Sequence, residues 1–238
     1  FYKKEGKDIL TLDLDTLTYR PNKKASFATL ELTKTIEKPI DRFKVLVTGK
    51  DKAGDFYRKN FASMFQYCSN RIPEITDAFY KIDDAMKAGF GWENGPFEIW
   101  DAIGIEKGIE LMKAEGYQPA SWVTDMLASG NTSFYSIKDG ATHFYSITNK
   151  KVEKIPGQDA FIILNNIRES KKIWNNSDAI ITDLGDGIIN LEFTSKMNSI
   201  GAGVLQGINK AIDIAEKDYN GLVIGNQGAN FSVGANLG

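Results

Sequence analysis

The sequence predicts a multidomain α+β protein that is mainly helical up to about residue 156 and α/β after it. Two amphipathic segments, which begin near Ala53 and Pro73, place apolar residues at steps of three and four and therefore predict helices. Two near-identical apolar segments in 134–147 predict a β-hairpin. Further on, an amphipathic helix at 203–217 lies between apolar strand segments, which predicts a β-α-β unit.

Composition narrows the class of protein. A chain of 238 residues is long enough for one or two domains with cores, and 42% hydrophobic and 25% charged residues are usual for a globular protein. The formal net charge of -2, without a basic stripe, argues against nucleic acid as a partner. No apolar run approaches the length of a transmembrane segment, so the expected location is the cytoplasm.

Cysteine and histidine usage limits the chemistry. Cys68 is the only cysteine and His143 the only histidine. We therefore expect neither a disulfide framework nor a metal site.

The first third of the chain predicts short strands, a connector and two long helices. Residues 9–19 alternate loosely and predict extended segments with a turn near Asp15, and the polar stretch 22–38 predicts a connector. Asp51 is a suitable N-cap for the first long helix. For the second, the sequence predicts a start at Pro73 and an end at Gly89.

The middle of the chain predicts smaller elements. Two short helices are expected at 104–114 and 119–128, and Asp139-Gly140 supplies the positive φ angles of a tight hairpin turn. The polar stretch 149–158 predicts a linker, and a helix is expected from Asp159 to about Lys171.

The last part predicts a hairpin followed by the β-α-β unit. Strands are expected at 179–183 and 188–193 around the turn Gly185-Asp186-Gly187. The short strand Leu222–Ile224 is uninterrupted by polar residues, which predicts burial on both faces.

The segment from Ile82 to Gly104 is the most informative motif. A helix, a glycine-rich turn and a second helix that starts at Gly95-Pro96 are expected there. The simplest interpretation is a packing element without chemistry, in which large aromatic side chains are buried as anchors: Trp92, Phe97 and Trp100.

The same motif resembles the C-terminal helical domain of 3-hydroxyacyl-CoA dehydrogenases, which carry Asp-x-Ala-Met-x-x-Gly-x-Gly before Gly-Pro-Phe-x-x-x-Asp. The match runs from Asp84 to Gly104. Phe1-Tyr2 and Phe134-Tyr135 resemble the signature that closes such a helical unit. The resemblance implies the tail of a first unit at 1–20, a connector at 21–39, and a second all-α domain with β-hairpins at 40–148.

The dehydrogenase chemistry itself is not expected in this chain. That family's catalytic His–Glu pair belongs to its nucleotide domain, whereas His143 lies in a predicted hairpin. The segment Gly201–Gly207 imitates a dinucleotide fingerprint, but Thr194–Ile200 separates it from the preceding strand. The next strand ends at Gly225-Asn226, without an acidic residue for a ribose, so we expect no nucleotide site here.

Residues 177–238 resemble the opening β-α-β part of the enoyl-CoA hydratase (crotonase) α/β fold, after a linker and helix at 149–176. The resemblance rests on the 185–187 hairpin, Lys196-Met-Asn-Ser-Ile200, the amphipathic helix, and Leu222-Val-Ile-Gly-Asn followed by Asn230-Phe-Ser-Val-Gly-Ala-Asn236. It implies that the backbone N–H of Ala235 donates to the thioester oxygen, where enolate charge needs a fixed donor. It also implies four CoA-binding residues: Lys196, Asn198, Ile200 and Gly234. Asn236 stands where this family usually has Asp, which weakens a side-chain role there.

Together the two resemblances imply a multifunctional fatty-acid β-oxidation protein, both an oxidoreductase and a lyase. The intact protein would oxidise 3-hydroxyacyl-CoA with NAD and hydrate 2-enoyl-CoA. This chain would be an internal fragment without the NAD domain and most of the hydratase domain, and inactive alone. Acyl-CoA substrates are implied, and a thiolase or a second copy of the chain stays open as a partner. The alternative is a non-catalytic helical scaffold domain fused to a partial α/β unit.

Overall fold

The computed structural model describes residues 1–24, 26–36, 38–228 and 230–236. The predicted connector at 21–39 therefore includes two positions, 25 and 37, outside the described residues. The chain forms two compact units, Phe1–Ser133 and Phe134–Gly238. The mixed α and β composition that the sequence predicts is confirmed.

The first unit begins with a small antiparallel sheet in the order β1-β2-β3 and continues with helices. The strands are β1 (Tyr2–Glu5), β2 (Asp8–Leu12) and β3 (Tyr19–Pro21). The helices are α1 (Ala28–Thr33), α2 (Pro39–Thr48), α3 (Lys52–Asn70), α4 (Tyr80–Phe90), α5 (Pro96–Ile103), α6 (Ile105–Ala114) and α7 (Ser121–Ala128).

The second unit contains two sheets with short helices between and after them. The first sheet has the order β4-β5-β6, with β4 (Tyr135–Lys138), β5 (Ala141–Ser146) and β6 (Lys151–Lys154). After α8 (Leu164–Ile167), the second sheet has the order β10-β9-β8-β7, with β7 (Lys172–Asn175), β8 (Ala179–Gly185), β9 (Ile188–Phe193) and β10 (Gly221–Ile224). The helix α9 (Ala202–Asp218) connects β9 to β10, which pair in parallel.

The long helices form largely where periodicity predicts them, but α4 begins later than expected. Asp51 caps α3 as predicted, because its side chain accepts from the backbone N–H of Gly54. Pro73 lies in a turn before α4 rather than in its first helical turn. The predicted stop at Gly89 is also wrong, since the left-handed residue that ends α4 is Gly91, with φ 66°.

The turn between α4 and α5 is held by a buried carboxylate. Asp83, on α4, accepts from the backbone N–H groups of Phe97 at 2.9 Å and Glu98 at 3.0 Å, so it satisfies free donors in the first turn of α5. Glu98 in turn accepts from the N–H of Gly95 at 2.8 Å. A Cβ on Gly95 would approach the Asp83 side chain to 2.3 Å, so only glycine fits there.

The predicted aromatic anchors divide into two groups. Phe97 and Trp100 are fully buried, as predicted, and Trp100 stacks on Phe65 with ring centroids 4.7 Å apart. The prediction for Trp92 is wrong, because 38% of this residue is exposed. It follows the left-handed Gly91, where the chain leaves α4, and does not reach the core of the helices.

Three weakly patterned segments differ from the sequence prediction. The connector contains α1, and the linker at 149–158 contains β6, which pairs with β5. The helix expected from Asp159 to Lys171 is reduced to a 3₁₀ turn and α8, and Phe161 between them is exposed.

The β-α-β unit has a core between α9 and the sheet. Its buried residues are Ala179, Ile181, Ile189, Leu191, Phe193, Val204 and Ala211. The predicted burial of Leu222–Ile224 on both faces is wrong: Leu222 is half-buried against this core, while Val223 and Ile224 are exposed. The reason is that β10 lies at the edge of the sheet rather than between two strands.

Candidate functional site

Two segments implied by the hydratase resemblance lie side by side in the second unit. A 3₁₀ turn at Lys196–Asn198 follows β9, and the loop 230–236 follows β10. Because β9 and β10 are parallel, both segments leave the same edge of the sheet. Asn198, Ile200, Gly234 and Ala235 are thereby brought together.

A short parallel bridge sets the direction of the Ala235 backbone. The N–H of Ile200 donates to the carbonyl of Gly234 at 2.9 Å, and the N–H of Asn236 donates to the carbonyl of Ile200 at 3.0 Å. The Gly234 carbonyl and the Ala235 N–H belong to one planar trans peptide, so they point in opposite directions. The Ala235 N–H therefore points away from Ile200, and no described residue accepts from it.

Unusual backbone conformations shape both segments. Met197 and Asn198 both have φ 56°, which lies in the left-handed region. Residues other than glycine adopt this backbone conformation at an energetic cost. Gly234 has φ 93°, which glycine tolerates and which turns the chain immediately before Ala235.

Hydrogen bonds join the two segments. The side-chain amide of Asn198 donates to the carbonyl of Asn230 at 2.9 Å. The hydroxyl of Ser232 donates to the carbonyl of Asn198 at 2.7 Å and accepts from the N–H of Gly234 at 3.0 Å. Sequence reasoning missed Ser232, because a serine in a glycine-rich loop carries no signal of its own.

Two adjacent amides after β10 anchor the loop from the other side. Asn226 accepts from the N–H of Phe193 and donates to the carbonyl of Phe231, both at 2.7 Å. Gln227 accepts from the N–H of Leu164 at 2.6 Å and donates to the carbonyl of Ile162 at 2.5 Å. In the sequence, Asn226 stands out only as the end of the hydratase-like segment and as a strand end without an acidic residue, and neither pattern predicts these anchoring contacts.

Lys196 differs from the other predicted CoA-binding residues in its exposure to solvent. Its side chain is exposed at the start of the 3₁₀ turn, next to Met197, which is also exposed. An exposed ammonium group beside this loop pair is suited to a phosphate on a ligand.

The glycine-rich segment at the start of α9 does not fit the pyrophosphate of NAD. A Cβ on Gly203 would lie 2.2 Å from a carboxylate oxygen of Asp178, and a Cβ on Gly207 would lie 2.7 Å from the Cβ of Ala179. Close packing of α9 on the sheet accounts for both glycines, and the Asp178 carboxylate would repel a phosphate. The structure thus provides its own reason against a dinucleotide site at this helix.

In the described part of the chain, the cysteine, the histidine and the carboxylates do not form a further metal or catalytic site. No group of three or more His, Cys, Asp or Glu side chains is placed to hold a metal ion there. Burial raises the pKa of the Cys68 thiol to about 11, so it stays protonated at neutral pH. His143 lies on β5, where its Nδ1 is 3.2 Å from the carbonyl oxygen of Ala141.

Comparison with known proteins identifies the relatives of this chain. It is 42% identical over its whole length to a protein of Bacillus subtilis strain 168 named "Probable 3-hydroxyacyl-CoA dehydrogenase". Over 98% of its length it is 25% identical to a "Putative fatty acid oxidation complex trifunctional enzyme" of Rickettsia prowazekii, and over 77% it is 27% identical to the same-named protein of Rickettsia felis. The chain is thus similar to one segment of these fatty-acid oxidation proteins.

The match covers only part of each family member. The chain spans 30% of the Bacillus protein, 28% of the Rickettsia prowazekii protein and 22% of the Rickettsia felis protein. Neither the protein-family models nor the solved structures searched gave a match.

Within the residues that the structure describes, no helix combines the length and apolar character needed to span a lipid bilayer.

Proposed function

We propose that this chain is part of a fatty-acid β-oxidation protein that acts on acyl-CoA thioesters. The whole protein would add water across the double bond of 2-enoyl-CoA to give 3-hydroxyacyl-CoA. It would then oxidise the hydroxyl group to a ketone, with transfer of a hydride to NAD and release of a proton. The named activity of the Bacillus relative supports the oxidation step.

The orientation of the Ala235 N–H is the observation that supports thioester chemistry in this chain. During hydration, negative charge builds up on the thioester oxygen, and a fixed N–H donor stabilises it. The Ala235 N–H is held in place by the Ile200–Gly234 hydrogen bond and has no acceptor among the described residues. We assign the neighbouring Lys196, Asn198, Ile200 and Gly234 to the CoA side of this site.

The helical first unit is proposed to be a structural domain of the dehydrogenase part. Its central motif is occupied by packing, since Asp83 caps α5 and Trp100 fills the core. The glycine-rich segment at the start of α9 does not fit the pyrophosphate of NAD, and we place no step of the hydride transfer on this chain. The domain limits 1–20, 21–39, 40–148, 149–176 and 177–238 belong to the same proposal.

The donor is tested with a variant that lacks the Ala235 N–H. Ala235→Pro removes the hydrogen of this amide, whereas Ala235→Ser keeps it. In the full product of the gene, hydration of crotonyl-CoA should fall about 100-fold or more in Ala235→Pro and change little in Ala235→Ser. Oxidation of 3-hydroxybutyryl-CoA with NAD should continue in both. Full hydration by Ala235→Pro would contradict the assignment.

The 238-residue chain by itself should catalyse neither reaction. The family resemblance places the dehydrogenase centre in a nucleotide domain, and one thioester donor does not make a hydratase. Purified chain that hydrates crotonyl-CoA or reduces NAD with 3-hydroxybutyryl-CoA clearly above the blank would contradict this expectation.

A further inference from the structure

We infer that Ser232 and Asn198 are positioning residues that hold the Ala235 N–H in the direction of the thioester oxygen. The inference rests on the proposed function and adds to it the side chains that make the backbone donor rigid. Neither side chain needs to touch the reacting atoms. Ser232 acts through the peptide before Gly234, and Asn198 acts through its contacts with Ser232 and Asn230.

The two peptides that flank Gly234 are fixed independently. The peptide before Gly234 is held because its N–H donates to the Ser232 hydroxyl at 3.0 Å. The peptide after Gly234 is held because its carbonyl accepts from Ile200 at 2.9 Å. Glycine at φ 93° could otherwise rotate freely at this point, so both restraints are needed to fix the Ala235 N–H.

The Ser232 hydroxyl connects this restraint to the neighbouring segment. While it accepts from Gly234, it donates to the carbonyl of Asn198 at 2.7 Å, so its rotation is fixed by two partners. Chains of hydrogen bonds of this kind polarise one another and strengthen each member.

Asn198 connects the 3₁₀ turn to the loop 230–236 through both its backbone and its side chain. Its left-handed backbone presents the carbonyl to Ser232, and its side-chain amide donates to the carbonyl of Asn230 at 2.9 Å. The loop 230–236 is therefore bound to Asn198 at both Asn230 and Ser232. Loss of either contact would let the loop shift relative to the bridge at Ile200.

A loosened donor should lower turnover rather than substrate binding. A displacement of about 1 Å in a catalytic group can cost about 100-fold in rate, and loss of one of two restraints should cost less. In the full product of the gene, Ser232→Ala should lower kcat for crotonyl-CoA hydration about tenfold and leave KM within about threefold. Asn198→Ala should lower kcat to a similar extent and also raise KM, because Asn198 belongs to the proposed CoA side of the site. Ser232→Thr, which keeps the hydroxyl, should keep most of the rate.

Ser129→Ala is the matched control. The Ser129 hydroxyl donates to the carbonyl of Met126 at 2.7 Å and accepts from the side-chain amide of Asn131 at 2.9 Å, at the end of α7. Its loss removes a hydroxyl that donates one hydrogen bond and accepts another, as Ser232 does, and leaves both restraints on Gly234 in place. We expect kcat within about twofold of the wild type.

A second readout reports on the donor directly. A conjugated dienoyl-CoA absorbs at longer wavelength when its thioester oxygen accepts hydrogen bonds. At saturation, Ser232→Ala and Asn198→Ala should show less than half the wild-type shift, and the dissociation constant of Ser232→Ala should stay within about threefold of the wild type. Ser129→Ala and Ser232→Thr should show nearly the full shift.

The outcomes separate this inference from the proposed function. A wild-type protein that binds the dienoyl-CoA without any shift would overturn the thioester site itself. A normal wild-type shift that persists unchanged in Ser232→Ala and Asn198→Ala would overturn the positioning role alone. A parallel loss of kcat and binding in Ser232→Ala, without rescue by Ser232→Thr, would also overturn it, because it indicates a general loss of folding.

Discussion

Trp92 and Trp100 belong to the same motif, yet the structure uses them differently. Trp100 is fully buried, stacks on Phe65, and its indole N–H donates to the carbonyl of Ile105 at 3.0 Å. A Cβ on Gly108 would lie 2.0 Å from the indole nitrogen, so glycine is required opposite Trp100. Trp92 lies in the exposed turn after α4. A glycine-rich motif thus predicts where aromatic residues occur, but not which of them reach the core.

Replacement of the two tryptophans should therefore have unequal effects. Trp100→Ala removes a buried ring and a satisfied N–H, and should lower the free energy of unfolding by about 3–5 kcal/mol. Trp92→Ala should lower it by about 1 kcal/mol or less. Denaturant unfolding followed by far-UV circular dichroism measures both. Equal losses would mean that Trp92 is covered in solution.

Asp51 should make stability depend on pH in the acid range. The backbone N–H groups of Thr29 and Gly54, and then the Thr29 hydroxyl, lower the pKa of Asp51 from 3.8 to about 2. A lowered pKa means that the folded state favours the carboxylate. The resulting stability is complete above about pH 4 and is lost as the pH falls towards 2.

This pH dependence is tested with Asp51→Asn, which keeps a capping oxygen but cannot titrate. The variant should be less stable than the wild type at pH 6, and the difference in melting temperature should shrink as the pH falls to about 2. A difference that stays constant over this range would contradict the role of the Asp51 charge.

At the candidate site, the sequence indicates positions along the backbone but not side-chain contacts. The hydratase resemblance indicates Ala235 and Gly234 because it depends only on the order of residues along the loop, and their roles stay predictions. Ser232 and Gln227 could not be identified this way. Their roles depend on which carbonyl their side chains reach, and this is decided by the pairing of distant segments.

At the scale of elements, the two small sheets share one pairing pattern. Tyr2 pairs with Thr11 in the first sheet, and Tyr135 pairs with Phe144 at the matching place in the second. The N–H of Leu12 donates to the carbonyl of Phe1 at 2.8 Å, as Tyr145 does to Phe134 at 3.0 Å. The shared register agrees with the Phe-Tyr signature that the sequence shows twice.

The matching positions differ in burial, which gives a test. Phe1 is 83% exposed, whereas Phe134 is 1% exposed. Phe134→Ala should therefore lower the free energy of unfolding by about 3 kcal/mol or more, and Phe1→Ala should change it by about 0.5 kcal/mol or less. Urea titrations of both variants decide this. A large effect of Phe1→Ala would show that the first sheet is covered in solution.

Elements with a strong local pattern are predicted well, and those set by distant partners are not. The helices α3 and α9 and the hairpin β8-β9 follow from periodicity and turn residues. The expected helix at 159–171 does not form in full. Gln227 binds the backbone of Ile162 and Leu164, and the N–H of Asp183 binds the carbonyl of Lys171. Such tertiary contacts override a weak helical pattern.

At the scale of the whole molecule, two sheets of the second unit end in edge strands of different character. The edge strand β6 has the sequence Lys-Val-Glu-Lys, and its charges discourage pairing with another chain. The edge strand β10 has the sequence Gly-Leu-Val-Ile, with Val223 45% and Ile224 40% exposed. An apolar edge strand without charges is a preferred place for a second chain to add.

We therefore expect the 238-residue chain to self-associate through β10. A charge on this edge should prevent pairing, so Val223→Lys should be monomeric where the wild type forms dimers. The control is Val152→Lys on β6, where the valine is equally exposed at 45% but already lies between charges, and it should associate like the wild type. Size-exclusion chromatography with light scattering over a range of concentrations distinguishes the three proteins. Limited proteolysis should at the same time cleave the segment after β10 more readily in Val223→Lys. A wild-type chain that stays monomeric and resists protease after β10 would show that this edge is closed without a partner.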